Sequence, residues 1–298
     1  MKVNTLPFWL VDVFARKPLT GNGLCVFMLD HELPTTAMQS ITREMRQFET
    51  IFLRQIGDTS KFAARIFTME EELLFAGHPI IGAGALMHTE LFATNSVAQL
   101  VFVTGNREIS VTSYREDSTY SAEMDQGVAT MAEPVPLIKH DQLLKALSLS
   151  RFDLAPELPL QVVSTGLPYL IVPVRTHLEH AQIVVEDFEA LLATVGAKFV
   201  YVFDVENSEG RTWDNYGRVE DIATGSAAGP AAAYLVAHGL AKSGEKIVLA
   251  QGRFVSRPSE LYATVRGGPV LSVSVRGQVC FVGSGTLNLP KQFWQQTT

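Results

Sequence analysis

The chain has 298 residues, 47 % of them hydrophobic and 18 % charged, with a formal net charge of −7 and a pI near 5.5. An acidic balance without a basic stripe excludes the electrostatic footprint of a nucleic-acid binder. No stretch of about 18 uncharged apolar residues is present, so no membrane-spanning helix is expected. The two cysteines, Cys25 and Cys280, lie far apart in strand-like segments. They read as reduced core thiols rather than a disulfide, which fits a cytoplasmic protein. The length suits two domains of about 150 residues.

In chain order, MKVNTLPFWLVDVF carries one lysine and is interrupted by Asp12. It reads as a strand over 7–14 rather than a signal peptide. A second strand is expected over 24–30, after the loop ARKPLTGNG. Thr35 or Thr36 is placed to cap a helix with the apolar stripe Met38, Ile41 and Met45. Glu49 opens the strand ETIFLRQ, and FAARIFT and ELLFA lead to a corner at Gly77-His78. The strands SVAQLVFV and REISVTSY, joined at Thr104-Gly105-Asn106, predict a hairpin. TYSAEMDQ ends the first lobe, and GVATMAEPVPL reads as a linker. In the second lobe a short helix, DQLLKALSL, precedes the strands QVVSTG and PYLIVPV. An amphipathic helix, VEDFEALLATVG, ends at Gly196, and KFVYVFDVE is a buried strand leading to a second corner. Beyond the helix that follows, KIVLAQG, ELYATVRG, PVLSVSV and QVCFVGSG read as strands, with turns at Gly267-Gly268 and Arg276-Gly277-Gln278.

The two corners share one design. Arg65-Ile-Phe-Thr precedes Glu71, Glu72, Gly77, His78, Pro79 and an apolar run. Arg211-Thr-Trp-Asp precedes Glu220, Asp221, Gly225, Ser226 and the run AAGPAAAYLVAHGL. A helix apolar on every side must be buried on every side. Pro79 suits a first helical position with His78 as cap, and Pro230 predicts regular helix from Ala228 or Gly229. The amides of Gly225, Ser226 and Ala227 would then face outward at the positive end of a buried helix, a place for a carboxylate or phosphate. The same residues also fit a capped core helix with its acids in solvent. An internal repeat of this kind predicts two similar lobes. The fold class expected is therefore α+β: two pseudo-symmetric lobes, each a mostly antiparallel, barrel-like sheet around a central buried helix. The lobes are expected at 1–126 and 127–286, with 287–298 a candidate to return to the first.

Other constellations fall short. His177-Leu-Glu-His180 lacks zinc-site spacing. Gly82-Ala-Gly84 lacks the third glycine of a dinucleotide loop, the position being Met87, and Gly225-Ser226 lacks the spacing of a hydrolase elbow. Nothing asks for a metal or an organic cofactor. Glu49, set between Phe48 and Thr50-Ile-Phe-Leu, is either a strand-edge glutamate in solvent or a carboxylate held among apolar neighbours. The second is the kind of group that serves as a general base.

Together TGNGLCVF at 20–27, REMRQFETIFL at 43–53, RIFTMEEELLFAGHPIIGAG at 65–84, EMDQ at 123–126, STGLPYLIVPV at 164–174, VEDIATGSAAGP at 219–230 and QGRFVSRPS at 251–259 are similar to the phenazine-biosynthesis isomerase (PhzF-like) family, within the diaminopimelate epimerase fold. The resemblance implies two pseudo-symmetric lobes with the active site between them, and a homodimer. It implies an isomerase that shifts a proton, without a cofactor, on a small cyclic carboxylate such as trans-2,3-dihydro-3-hydroxyanthranilate. The family's base falls on Glu49, with His78 and Asp221 assisting and Ser226, Gly77, Gly225 and Asn22 binding substrate. The chain departs from the pattern at Phe48, Ile80, Ile222 and Gly23, where serine, threonine, proline and proline are usual. No cysteine stands at either corner, which argues against the two-thiol chemistry of diaminopimelate epimerase. Two other readings stay open: an amino-acid epimerase using Glu49 and His78 from opposite faces, and a non-catalytic binder of small carboxylates.

Overall fold

The structure is a computed structural model that describes residues 4–105 and 107–289. It divides into two compact units: residues 4–125 with 276–289, and residues 126–275. Each is a ring of strands around one apolar helix, the α+β architecture expected.

The first unit opens with β1 (Asn4–Val13), β2 (Asn22–Met28), α1 (Thr35–Met45) and β3 (Glu49–Gln55). Pro34 precedes α1 as its N-cap without a side-chain hydrogen bond, so neither Thr35 nor Thr36 is the cap. β4 (Lys61–Phe67) and the short β5 (Glu72–Leu73) lead to α2 (Gly77–Leu91). β6 (Val97–Thr104) and β7 (Arg107–Glu116) form the hairpin, turning at Gly105 with φ +56°; Asn106 lies outside the described residues. The stretch read as a linker is instead continuous with β8 (Thr119–Pro134), which passes from the first unit into the second. Exposure alternates along it on either side of Gly127, the pattern of a half-buried strand.

The second unit continues with α3 (Leu137–Ala146), β9 (Gln161–Ser164), β10 (Pro168–Val174), α4 (Phe188–Ala193), β11 (Phe199–Asp204) and β12 (Glu209–Arg211). α4 is a six-residue helix capped by the Asp187 side chain, shorter than its sequence pattern suggested. α5 (Gly225–Ala237), β13 (Lys246–Gln251), β14 (Ser259–Gly267) and β15 (Leu271–Leu289) complete the chain. β15 is one strand where two were expected, and it carries the chain back into the first unit from residue 276 rather than 287. Residues 290–298 of the expected returning segment lie outside the described residues. Arg276-Gly277-Gln278 does not turn but runs within β15, held on both sides of Gly277: Ala15 N–H donates to Gln278 C=O at 3.1 Å, and the Arg276 guanidinium donates to Ser121 and Glu116. Gly277 is required for another reason: a Cβ there would stand 2.4 Å from the buried Phe14 ring.

In the first unit the order β3-β2-β1-β15 meets β8-β7-β6-β4 through the additional pairings β3–β4 and β15–β8. In the second, β15-β14-β13-β12-β11-β10-β9-β8 closes through the same β15–β8 pairing. Closure removes the exposed edges that an open sheet would present. Inside the first ring, α2 is buried from Gly77 to His88, and small residues let strands approach it. A Cβ at Gly82 would lie 2.6 Å from Leu24 Cδ2 and 2.8 Å from Val13 Cγ2. α5 is buried in the same way from Ala227 to Leu235, which the alanine run permits. A satellite core of Phe27, Phe52 and Phe67 with α1 residues Met38 and Ile41 backs the first ring. Phe188, Leu192 and Trp213 belong to its counterpart in the second unit.

Candidate active site

In the first unit the site residues come from a strand start and a helix start. Glu49 is the first residue of β3, and Leu24 of the parallel β2 is its register partner. Asn22 opens β2 two residues earlier and is fully buried. Gly77 and His78 are the first residues of α2, whose N-cap is Ala76; His78 is therefore inside the helix and not its cap. Pro79 still falls in the first turn, where its missing N–H costs nothing. Glu49 Oε2 and His78 Nε2 lie 2.9 Å apart with side chains 9 % and 6 % exposed. That is an ion-pair separation, but the angles are outside those of a hydrogen bond, and Glu49 Oε2 accepts none among the described residues. A buried carboxylate oxygen left in this way is costly unless it has work to do. Glu49 is thus held among apolar neighbours rather than in solvent, and Phe48 beside it is half-buried.

In the second unit, helix begins at Gly225, with Thr224 as N-cap, three or four residues earlier than Pro230 implied. Pro230 is accommodated inside the helix, where it removes the N–H that Ser226 C=O would accept. The N–H groups of Ala227 and Ala228 both donate to Thr224 C=O, at 3.0 and 3.1 Å. Ala227 is therefore not an open donor; the amides of Gly225 and Ser226 have no backbone acceptor among the described residues. The hydroxyls of Ser226 and Tyr169 are 2.8 Å apart. Gln126 Nε2 donates to Gly225 C=O at 2.8 Å, and Thr165 Oγ1 donates to Gln126 Oε1. Asp221 is half-buried, and its Oδ2 accepts from Thr224 Oγ1.

Glu220, by contrast, is part of the scaffold. It grips Arg211 in a two-point pair, Nε–Oε1 at 3.0 Å and Nη2–Oε2 at 2.6 Å, while Arg211 Nη1 donates to three carbonyls, of Leu178, Glu179 and Ala181. The first unit repeats the clamp. Arg65 holds Glu72 by two contacts, and each arginine lies over the aromatic ring two residues on, Phe67 or Trp213. The paired arginines at 65 and 211 are the signal in the repeat that separates its structural acids from Asp221.

Cys25 and Cys280 stand on β2 and β15, neither being a helix-start residue, and burial pushes the Cys25 thiol up to about 12. Neither is placed as a corner thiolate. His177 is bound to Asp153, and no group of three metal-ligating side chains occurs among the described residues. Nor is any described helix long and apolar enough to cross a membrane.

A family model described as phenazine biosynthesis-like protein (PhzC-PhzF) matches residues 11–285. This chain belongs to that family. It is 33 % identical to a trans-2,3-dihydro-3-hydroxyanthranilate isomerase of Pseudomonas chlororaphis, over 94 % of this chain and 98 % of that one. A solved structure of a predicted epimerase from Pseudomonas aeruginosa is 47 % identical, with a TM-score of 0.88 over 95 % of this chain and 99 % of that chain. A probable proline racemase from Agrobacterium radiobacter, 14 % identical with a TM-score of 0.62 over 96 % of this chain and 94 % of its own, shares the epimerase-type fold. The PhzF-family chain is accordingly an isomerase.

Proposed function

We propose that this isomerase moves a proton within a small cyclic carboxylate similar to trans-2,3-dihydro-3-hydroxyanthranilate, with Glu49 as general base and no cofactor. One observation carries the reading: a carboxylate 7 % exposed, whose Oε2 accepts no hydrogen bond among the described residues and lies 2.9 Å from His78. In the proposed step Glu49 takes a proton from a ring carbon, and the electron pair is delocalised into the adjacent unsaturation. The same proton then returns at another ring carbon, so the product is an isomer and nothing is consumed. His78 orients the carboxylate and stabilises its charge. The substrate's carboxylate is bound by the open amides of Gly225 and Ser226 at the positive end of α5, with Gly77 and Asn22 lining the ring and Asp221 assisting.

Glu49→Gln tests this. It preserves shape but removes the proton acceptor, so turnover is expected to fall by roughly 10²–10⁴ with substrate affinity retained. The measurement is deuterium incorporation from heavy water into bound substrate at saturation. Equal incorporation by wild type and Glu49→Gln would exclude Glu49 as the base.

A further inference from the structure

We propose that Gln251 and Thr224 are positioning residues that hold the Asp221 carboxylate as the acceptor for a hydrogen-bond donor adjacent to the substrate's carboxylate. The proposal rests on the reading of Asp221 as a site residue given above.

Gln251, at the end of β13, is 1 % exposed, and its side-chain amide sits between Thr224 and Asp221. Two backbone groups fix which way the amide faces. Thr224 N–H, which can only donate, meets Oε1 at 3.2 Å. Asp221 C=O, which can only accept, meets Nε2 at 2.9 Å. Inverting the amide would set donor against donor and acceptor against acceptor. Tyr201 adds to the first contact: burial pushes its phenol well above the ordinary value, so the hydroxyl keeps its proton, and it faces Oε1 at 3.5 Å.

With the amide fixed, the second Nε2 proton goes to Thr224 Oγ1, 2.9 Å away. Thr224 Oγ1 is then an acceptor toward Gln251, so its own proton is directed to Asp221 Oδ2. Oδ2 must therefore be an unprotonated oxygen. Three groups in series, Gln251 to Thr224 to Asp221, give the carboxyl group one orientation and leave Oδ2 able only to accept. A carboxyl group held in this way presents an acceptor of fixed direction. It selects a substrate bearing an N–H or O–H beside the carboxylate that the α5 end binds.

The test is calorimetric binding of two stable probes to the full chain: anthranilate, which carries an amino donor beside its carboxylate, and benzoate, which does not. Wild type is expected to bind anthranilate more tightly. Thr224→Val and Gln251→Met are expected to lose roughly three- to tenfold of that preference, the range of one hydrogen bond, and Thr224→Ser is expected to keep it. A purely structural role would lower the melting temperature or weaken both probes equally, leaving the ratio unchanged. If Gln251→Met does not fold, the Thr224→Val and Thr224→Ser pair still decides. Wild type without preference, or both Thr224 variants with the wild-type ratio, would overturn the positioning role alone. Wild type that binds neither probe would overturn it together with the carboxylate-isomerase reading.

Discussion

Gly229→Ala is a substitution whose sign separates two physical effects. In an exposed helix, alanine in place of glycine gains about 1 kcal/mol from backbone entropy. Gly229 lies in α5, and a Cβ there would stand 2.0 Å from Gln126 Oε1 and 3.1 Å from both Gln126 Cδ and Val273 Cγ1. Gln126 is 4 % exposed, and its amide is held at both ends, by Gly225 C=O and by the Thr165 hydroxyl. It cannot yield without losing those contacts, worth about 1 kcal/mol each. Crowding in a closed core adds about 1–3 kcal/mol. The loss of about 3–5 kcal/mol outweighs the gain of about 1 kcal/mol, and a net destabilisation of about 2–4 kcal/mol is expected. Urea unfolding followed by circular dichroism measures it, with the slope compared between variants so that midpoints can be read as stability. The partner test is Gln126→Ala with Gly229→Ala: removing the obstructing side chain should make the double variant more stable than the sum of its singles. A Gly229→Ala protein as stable as wild type, or more so, would mean that helix propensity dominates and that Gln126 is free to move.

The repeated arginine clamps provide a second comparison. Arg65 and Glu72 have side chains 27 % and 34 % exposed, against 10 % and 8 % for Arg211 and Glu220. Glu72→Gln should cost about 0–1 kcal/mol, as at surface pairs, and Glu220→Gln about 3 kcal/mol, because a buried guanidinium loses its counter-charge. Equal costs in urea unfolding would show that burial does not set the difference. A third expectation concerns His88, buried under Tyr120 with Nδ1 on Ser113 Oγ and Nε2 on Asn95 C=O. Burial is the largest influence on its ring and holds its pKa below the ordinary histidine value. The unfolded chain then binds a proton that the folded one refuses, so stability is complete above about pH 6.5 and falls as pH drops toward the folded value. His88→Gln removes that titration, so the stability gap between wild type and variant should narrow between pH 7.5 and pH 5. A constant gap would refute the assignment.

Much of this was legible in the chain. The two small-residue helices, the paired corners and the segment order gave the architecture, because an all-apolar helix has nowhere to lie except inside a ring of strands. Glu49, His78, Asp221 and Ser226 were readable as candidates from their motifs. Errors arose where local signals met long-range pairing. Gly127 and Pro134 suggested a linker, and Gly277 a turn, yet all three lie within long strands whose partners are distant in sequence. Pro230 points to a later helix start because proline favours the first turn; the fold instead tolerates one lost hydrogen bond in the second turn. The Gln251–Thr224–Asp221 series was out of reach, since nothing in spacing alone joins residues 221 and 251.

The route of β15 bears on how the chain is made. β1 pairs antiparallel with β15, which is synthesised more than 250 residues after it, in a register that sets Asn4 opposite Leu289. The second unit is inserted between the two pieces of the first, so its residues 126–275 are all synthesised before the first ring can close. During translation the second unit can assemble as soon as β15 begins to emerge, while β1 keeps an open edge until the rest of β15 has followed. Long-range pairing of this kind is slow and leaves strand edges exposed in the meantime. The half synthesised first is therefore the half completed last, and it is the one for which a nascent chain most needs protection from aggregation.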